Sequence, residues 1–431
     1  MDLKVKNLKK GDRIDIQVFS KIKDAIKDQL KLFVKRLIIK QIINDRYYLI
    51  DIHYDFYNTK YSCLRGAIFD NIESKFFLVS DVLPKEEVVY TPLRGSDSDG
   101  AIYYRGYDGC VLRIFELDGS IIYSTNRCVD TRNKRIFTVK DSRTFEQIMK
   151  EVAGVNNDSE KTMFEGDNKN KIHFFLIVTK ETYLFMQGDI EEKVFYIGSK
   201  NKYEIGSSKK LEFFRNFCNI KHFERIPIAE ANKILGFDSK RRLLDPRLDM
   251  ENSGFIIRET LFPPTKTFLY SEGYYWRKFI LGLKRSDKIV SIYLELKERY
   301  IKNISEYKEM FPYIKIIKEH ENVKVMPLKY PEKLTKEQLE ENLINCLYLI
   351  LPKSRKSEVF QLQKHINDTI REIATLIKEN KISNDEIYNP KIEDFLKRVS
   401  GRDIKEIEKI MKEETEGEII YLLGRILNKF D

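Results

Sequence analysis

Short bursts of β-branched and aromatic residues, bounded by turn-forming pairs, dominate the chain up to about residue 300. Beyond that the apolar spacing becomes helical. One helical stretch comes early: Ile22, Ile26, Leu30, Phe33 and Leu37 recur on one face with lysines between them. Asn44-Asp45 then separates two apolar runs, the second a strand from Tyr47 to Tyr54. Leu64 to Asp70 reads as a short strand, Asn71 to Ser74 as a polar turn, and Phe76 to Val79 as its partner strand. Val111 to Phe115 and Ile121 to Tyr123 flank Asp118-Gly119, a strong signal for a two-residue hairpin turn. A helix is expected from Thr144 to Ala153 and a polar loop from Gly154 to Lys171. Strands are expected at His173 to Val178, Thr182 to Met186 and Val194 to Gly198, and a helical region from Lys209 to Gly236. Gly254 to Arg258 is one more short strand, beside Pro263-Pro264. From about Leu334 helices run to the end, broken near Pro352, Asn389-Pro390 and Gly401.

This pattern predicts an α+β chain whose antiparallel-sheet core precedes an all-helical C-terminal domain. The expected segments are a basic helix and strands over 1–60, joined to a core over 61–300, then helices over 301–431. At 431 residues, 42% hydrophobic and 33% charged, the chain can bury a sizeable core and is not a disordered polymer.

Charge sharpens the picture at the front. Residues 1–40 carry twelve Lys and Arg against five Asp, whereas from Glu332 onward 18 basic residues meet 20 acidic ones. With a formal charge of +10, a nucleic-acid surface is expected near the start, with Lys21, Lys23, Lys27, Lys31, Lys35 and Arg36 as candidates. The plain alternative is a solvated helix face. Cys63, Cys110, Cys128, Cys218 and Cys346 show no paired spacing and nothing resembles a secretory leader, so free thiols in a reducing compartment are expected. No metal-ligand spacing occurs and no apolar run approaches the roughly 18 residues of a membrane span, so neither a metal nor a membrane is expected.

The chemistry concentrates where this lysine-rich chain has no lysine, between Glu86 and Asn133. There Arg105-Gly-Tyr-Asp-Gly109 leads into the hairpin, which ends in Ser124-Thr-Asn-Arg127. The layout resembles the nucleotide-binding motif of covalent nucleotidyltransferases, the phage-type RNA ligases above all. In that family Lys-x-Asp/Glu-Gly precedes a strand, a turn and a second strand ending in Ser-x-x-Gly or Ser-Thr-x-Arg. Upstream, Leu64-Arg65-Gly66-Ala-Ile-Phe69-Asp70 resembles the family's Arg-Gly strand. Downstream, Phe174 to Val178 with Tyr183-Leu184-Phe185 resembles its Phe-Glu-Leu strand and partner. Asn252 to Ile257 resembles the Glu-Gly-Tyr/Phe-Val motif, and Tyr275-Trp276-Arg277-Lys278 falls where a final lysine motif belongs. The Ser-Thr-x-Arg form is also similar to ligase-like proteins of nucleo-cytoplasmic large DNA viruses. The resemblance covers about residues 60–300 and rests on the order of five short motifs.

In the family a lysine attacks the α-phosphate of a nucleoside triphosphate, an acid pair holds ribose or metal, and late lysines neutralise the phosphate. Here Gly106 stands at the lysine position, Phe175 at the third-motif carboxylate and Ser253 at the fourth. Arg65, Asp108, Gly109, Arg113, Ser124, Arg127 and Lys278 remain as nucleotide-binding candidates. The resemblance therefore implies an RNA ligase-like protein that has lost catalysis. It would bind RNA or another nucleic acid, or serve in a viral RNA-processing or transcription assembly in host cytoplasm and virion. Its C-terminal helices would hold a protein partner, and it would need no cofactor. An active ligase with a relocated lysine would use ATP and Mg2+; a virion scaffold would use neither. Plainer readings stand beside each motif. Asp108-Gly109 is also an ordinary turn pair, Cys110 a buried strand residue, and Tyr274-Tyr275-Trp276 a core cluster. Glu251 could stand in for the carboxylate missing at Ser253, and His53, His173, His222, His320 and His365 form no catalytic or metal pattern.

Overall fold

The computed structural model describes residues 4–8, 12, 14–34, 37–52, 60–80, 84–94, 100–135, 143–179, 191–205, 218–237, 254–261, 264–282, 289–301, 303–319, 322–351, 356–379 and 390–413. The chain divides into two compact units. The first comprises Met1–Tyr183, Ile190–Leu235 and Phe255–Tyr270, and the second the remainder.

The first unit opens with β1 (Val5–Asn7), α1 (Ile16–Leu30), β2 (Ile38–Ile43), β3 (Tyr47–Asp51), β4 (Ala67–Asp70) and β5 (Lys75–Leu78). These five strands form one sheet in sequence order, every pair antiparallel. Asp15 caps α1 by accepting from the Gln17 amide at 2.8 Å, and Lys31 ends it in the left-handed region. The helix is therefore shorter than its apolar spacing suggested: Phe33 lies beyond it, 74% exposed, and Leu37 precedes β2. Asn44 and Asp45 both take positive φ, as a two-residue hairpin turn between right-twisted strands requires.

Next come β6 (Lys85–Val88), β7 (Ala101–Arg105), β8 (Cys110–Leu117), β9 (Ser120–Ser124), α2 (Phe145–Glu151), α3 (Asn157–Met163), β10 (Lys171–Val178) and β11 (Lys193–Asn201). The hairpin around Asp118-Gly119 is as expected, both residues at positive φ. The segment read as a polar loop instead holds α3, because Asn156 and Ser159 form a capping box that starts a helix in a polar sequence. The strand expected at Thr182 to Met186 lies outside the described residues. The strand that pairs with β10 is β11.

The unit closes with β12 (Arg225–Ile226), α4 (Ile228–Ile234), β13 (Phe255–Leu261) and β14 (Pro264–Tyr270). Of the helix expected over Lys209 to Gly236, the described part is helical only in α4, and Lys221 and Arg225–Ile226 pair as strand instead. A four-stranded sheet has the order β11-β10-β8-β9, and a five-stranded one the order β12-β7-β13-β14-β6. In the latter β6 runs parallel to β14, a pairing with no local sequence signal.

Two of these sheets pack face to face. Ile43, Tyr47, Leu49, Ile68, Phe77 and Leu78 of the first meet Phe115, Leu117, Ile122, Ile172 and Phe174 of the four-stranded sheet. Val18, Ile22 and Ile26 of α1 cover the first sheet's other face, while Phe145, Ile148, Met149 and Met163 cover the outer face of the second. The order is helix, sheet, sheet, helices, so strands buried on both faces read as continuous apolar runs.

The second unit contains α5 (Glu272–Gly282), α6 (Ile289–Tyr300), α7 (Ile304–Met310), β15 (Ile314–Glu319), β16 (Asn322–Pro327), α8 (Lys336–Ile350), α9 (Lys356–Phe360), α10 (Leu362–Lys378), α11 (Pro390–Val399) and α12 (Ile404–Glu413). It is not all helical, as expected for 301–431, since β15 and β16 form an antiparallel hairpin. Asn342 on α8 fixes the corner before that hairpin. Its amide donates to the Tyr307 hydroxyl and the Pro312 carbonyl, both at 3.0 Å, and its oxygen accepts from the Ile314 amide at 2.9 Å. Tyr274 and Trp276 are buried in α5, and the Trp276 indole donates to the Met310 carbonyl, so those two rings are core, while Tyr275 between them is exposed.

Candidate functional site

Gly106 to Gly109 is neither a hairpin turn nor part of a strand. It carries the chain from β7, in the five-stranded sheet, to β8, in the four-stranded one. Both glycines are required by close approach. A Cβ on Gly106 would sit 2.3 Å from the Phe255 ring, and the Gly106 amide donates to the Phe255 carbonyl at 2.9 Å. A Cβ on Gly109 would meet the Ile177 carbonyl oxygen at 2.5 Å. Phe255 thus fills the direction in which a nucleophile's side chain would leave residue 106.

Arg113, from the middle of β8, is fully buried and faces the first sheet. Its guanidinium donates to the Gly66 carbonyl at 2.6 Å, to Ser124 Oγ at 2.8 Å, and to the Thr125 carbonyl. Burial pushes it down to about 9, which leaves it charged at neutral pH. Gly66, at φ +76°, would place a Cβ 2.5 Å from the Asn126 backbone, so only glycine lets the 124–127 loop lie against the Arg65-Gly66 turn. Arg113 and Ser124 are therefore the internal fastening between two sheets. The bonds of the two Arg113 terminal nitrogens and of Ser124 all go to protein groups, so the pair positions the loop.

Arg65 adjoins Gly66 and Arg127 follows the packed 124–126 segment; Arg65 and Asp108 are half-buried and Arg127 is exposed. Arg127 is close enough to Cys110 to oppose the effect of burial, which pushes that thiol up to about 11. A thiol so raised is not a substitute nucleophile at neutral pH. Tyr107 packs against Phe195 at 4.6 Å and has the exposed Arg105 guanidinium 5.8 Å from its ring; Phe195 stacks on Phe223 at 4.8 Å. Burial pushes the Tyr107 phenol up, against the pull of Arg105 and Lys193.

Among the sequence-derived candidates, Arg113 and Ser124 bond each other and the Arg113 guanidinium reaches Gly66, next to Arg65. The 124–127 loop that carries Arg127 packs on Gly66, whereas Gly109 lies instead against Ile177 and Leu176 of β10. Lys278 falls on α5, in the other unit. Phe175, at the third-motif position, is a fully buried core residue; Glu251 and Ser253 lie outside the described residues.

Lys21, Lys23, Lys27 and Lys31 are exposed, and Lys35 and Arg36 lie outside the described residues. Lys23 and Lys27 share their face with the exposed Asp24 and Asp28, so the front helix is mixed in sign rather than uniformly basic.

One residue that motif reading passed over is Lys200 on β11. It is 4% exposed, the single buried lysine among the described residues, and its Nζ donates to the Val79 carbonyl at 3.3 Å. The sequence carried little signal for it, since Lys200 follows Gly198-Ser199 and has Lys202 two residues on.

Among the described residues no cluster of three metal-ligating side chains occurs, and no helix is long and apolar enough to cross a membrane. No family model matches the chain, and no curated protein matches it.

Proposed function

We propose that this chain is an RNA ligase-like scaffold that has given up nucleotidyl transfer and binds single-stranded nucleic acid beside the sheet-to-sheet crossover. One observation carries the reading: the lysine position is glycine, and the Phe255 ring occupies the space its side chain would need. An arginine set supports the binding half. Arg65, Arg105 and Arg127 flank the crossover, two of them exposed, and phosphate contacts need charge and reach but no nucleophile.

The test has two arms. Incubation of the purified chain with ATP or GTP and Mg2+ or Mn2+ should give no covalent nucleotide by intact mass. A single-stranded RNA oligomer should bind with an affinity that falls steeply with salt, and Arg127→Ala should reduce the logarithmic salt slope by about one phosphate contact. Lys23→Ser with Lys27→Ser should leave that slope unchanged. Salt-independent or absent RNA binding would overturn the binding half.

An active enzyme with a relocated lysine is the second reading, and Lys200 is the observation that favours it. A nucleotide adduct that disappears in Lys200→Met would establish it, with ATP and Mg2+ then as substrate and metal.

A further inference from the structure

Cys128 and Lys134 lie six residues apart in the segment after β9, and Lys134 Nζ stands 2.6 Å from Cys128 Sγ. An N–H···O hydrogen bond is ordinarily about 2.9 Å long, and sulfur is larger than oxygen, so a hydrogen bond to sulfur should be longer still. A direct N–S bond would be far shorter. One oxygen atom, singly bonded to both and near the tetrahedral angle, spans the observed separation.

Both partners are held. Gln41, buried on β2, donates to Cys128 Sγ at 3.2 Å while its oxygen accepts from the Val129 amide at 2.8 Å. The Cys128 carbonyl accepts from the Thr125 amide at 2.9 Å and from Ser124 Oγ at 3.2 Å. The Lys134 amide donates to the Thr131 carbonyl at 2.8 Å, and its carbonyl accepts from the Phe145 amide at 3.2 Å. Lys134 is exposed and Cys128 half-buried, so a small oxidant can reach the pair.

The geometry points to an oxidation-dependent cross-link, Lys134 Nζ–O–Cys128 Sγ. A peroxide is the oxidant. One equivalent converts the thiol to a sulfenic acid and releases water. A second oxidises the amine nitrogen by two electrons: an N–H and the sulfenic O–H are lost, the N–O bond forms, and two waters leave. A dithiol reductant returns thiol and amine. The link would tie down the segment that begins at Arg127, and it does not rest on the nucleic-acid reading.

The full chain is treated with dilute hydrogen peroxide and analysed by intact and tandem mass spectrometry. The expected product gains about 14 Da, one oxygen less two hydrogens, located between residues 128 and 134 and removed by dithiothreitol. Cys128→Ser and Lys134→Arg should each abolish it; the second variant keeps the charge and changes only an exposed side chain. Unmodified Cys128 in the parent chain, or a parent product that gains only about 16 or 32 Da on Cys128 with no loss of two hydrogens, would overturn the proposal.

Discussion

The β8–β9 hairpin has two ends built on opposite plans. At its turn, polar groups lock together. Arg46 grips the fully buried Asp70 through two bonds, of 2.9 and 2.6 Å, and Tyr203 donates to the same carboxylate at 2.7 Å. Asp118 accepts from Asn44 at 2.9 Å and Tyr47 at 3.2 Å. At the other end, Gly106 and Gly109 admit neighbours where a side chain would stand, and Arg105 and Arg127 face solvent. The locked end closes the sandwich. The glycine end carries two solvent-facing arginines instead, which is the feature the proposed binding use draws on.

The largest effect should come from breaking the lock. Arg46→Met leaves Asp70 buried without its cation and should cost about 3–4 kcal/mol at neutral pH, read as a fall in the urea midpoint. Burial by itself raises the Asp70 carboxyl, but Arg46, Tyr203 and the Glu73 and Ile72 amides outweigh it and hold it below the usual value of 3.8. The pair's contribution is therefore present above that value and lost as pH falls through the folded one, so variant and parent should converge in strong acid. A gap that persists there would mean Arg46 acts through packing alone.

A smaller effect lies between the two ends. His173 on β10, 1% exposed, is pushed down from 6.5 to about 4 by burial and by Lys171. Between those values the unfolded chain binds a proton that the folded one refuses, so stability falls as pH falls. The loss should reach about 2–3 kcal/mol near pH 4. His173→Gln should flatten the melting temperature over that window without touching the more acidic Asp70 step. An unchanged profile would show that the ring protonates in place.

The smallest effect tests the glycine end. Gly106→Ala forces the Phe255 ring aside and should cost about 1–2 kcal/mol by thermal melt. Combined with Phe255→Ala, the second change should cost less than it does alone. Strict additivity would mean that the two do not share the space.

Legibility followed range. Asn44-Asp45 and Asp118-Gly119 were readable because a two-residue turn depends on the sterics of its own φ and ψ, and the Thr144 cap because three residues suffice to make it. The polar stretch that became α3 was missed because composition outvoted its capping box. Arg113 and Ser124 do bond each other, but in a role the motif reading did not give them. Arg113 looked like a phosphate ligand in sequence and is an internal fastening, since nothing local shows that the Gly66 and Thr125 carbonyls would arrive to take its donors.

By itself the sequence determined an α+β chain with antiparallel hairpins, a largely helical back end, and glycines at 106 and 109. Those follow from side-chain period, turn stereochemistry and residue identity, all local properties. Only the tertiary structure decided that Phe255 fills the space beside Gly106, that β6 joins β14 in parallel, that His173 and Lys200 are buried, and that Cys128 meets Lys134. Each depends on which distant or folded-back segment takes up a given volume, and close packing settles that only once the whole unit has formed.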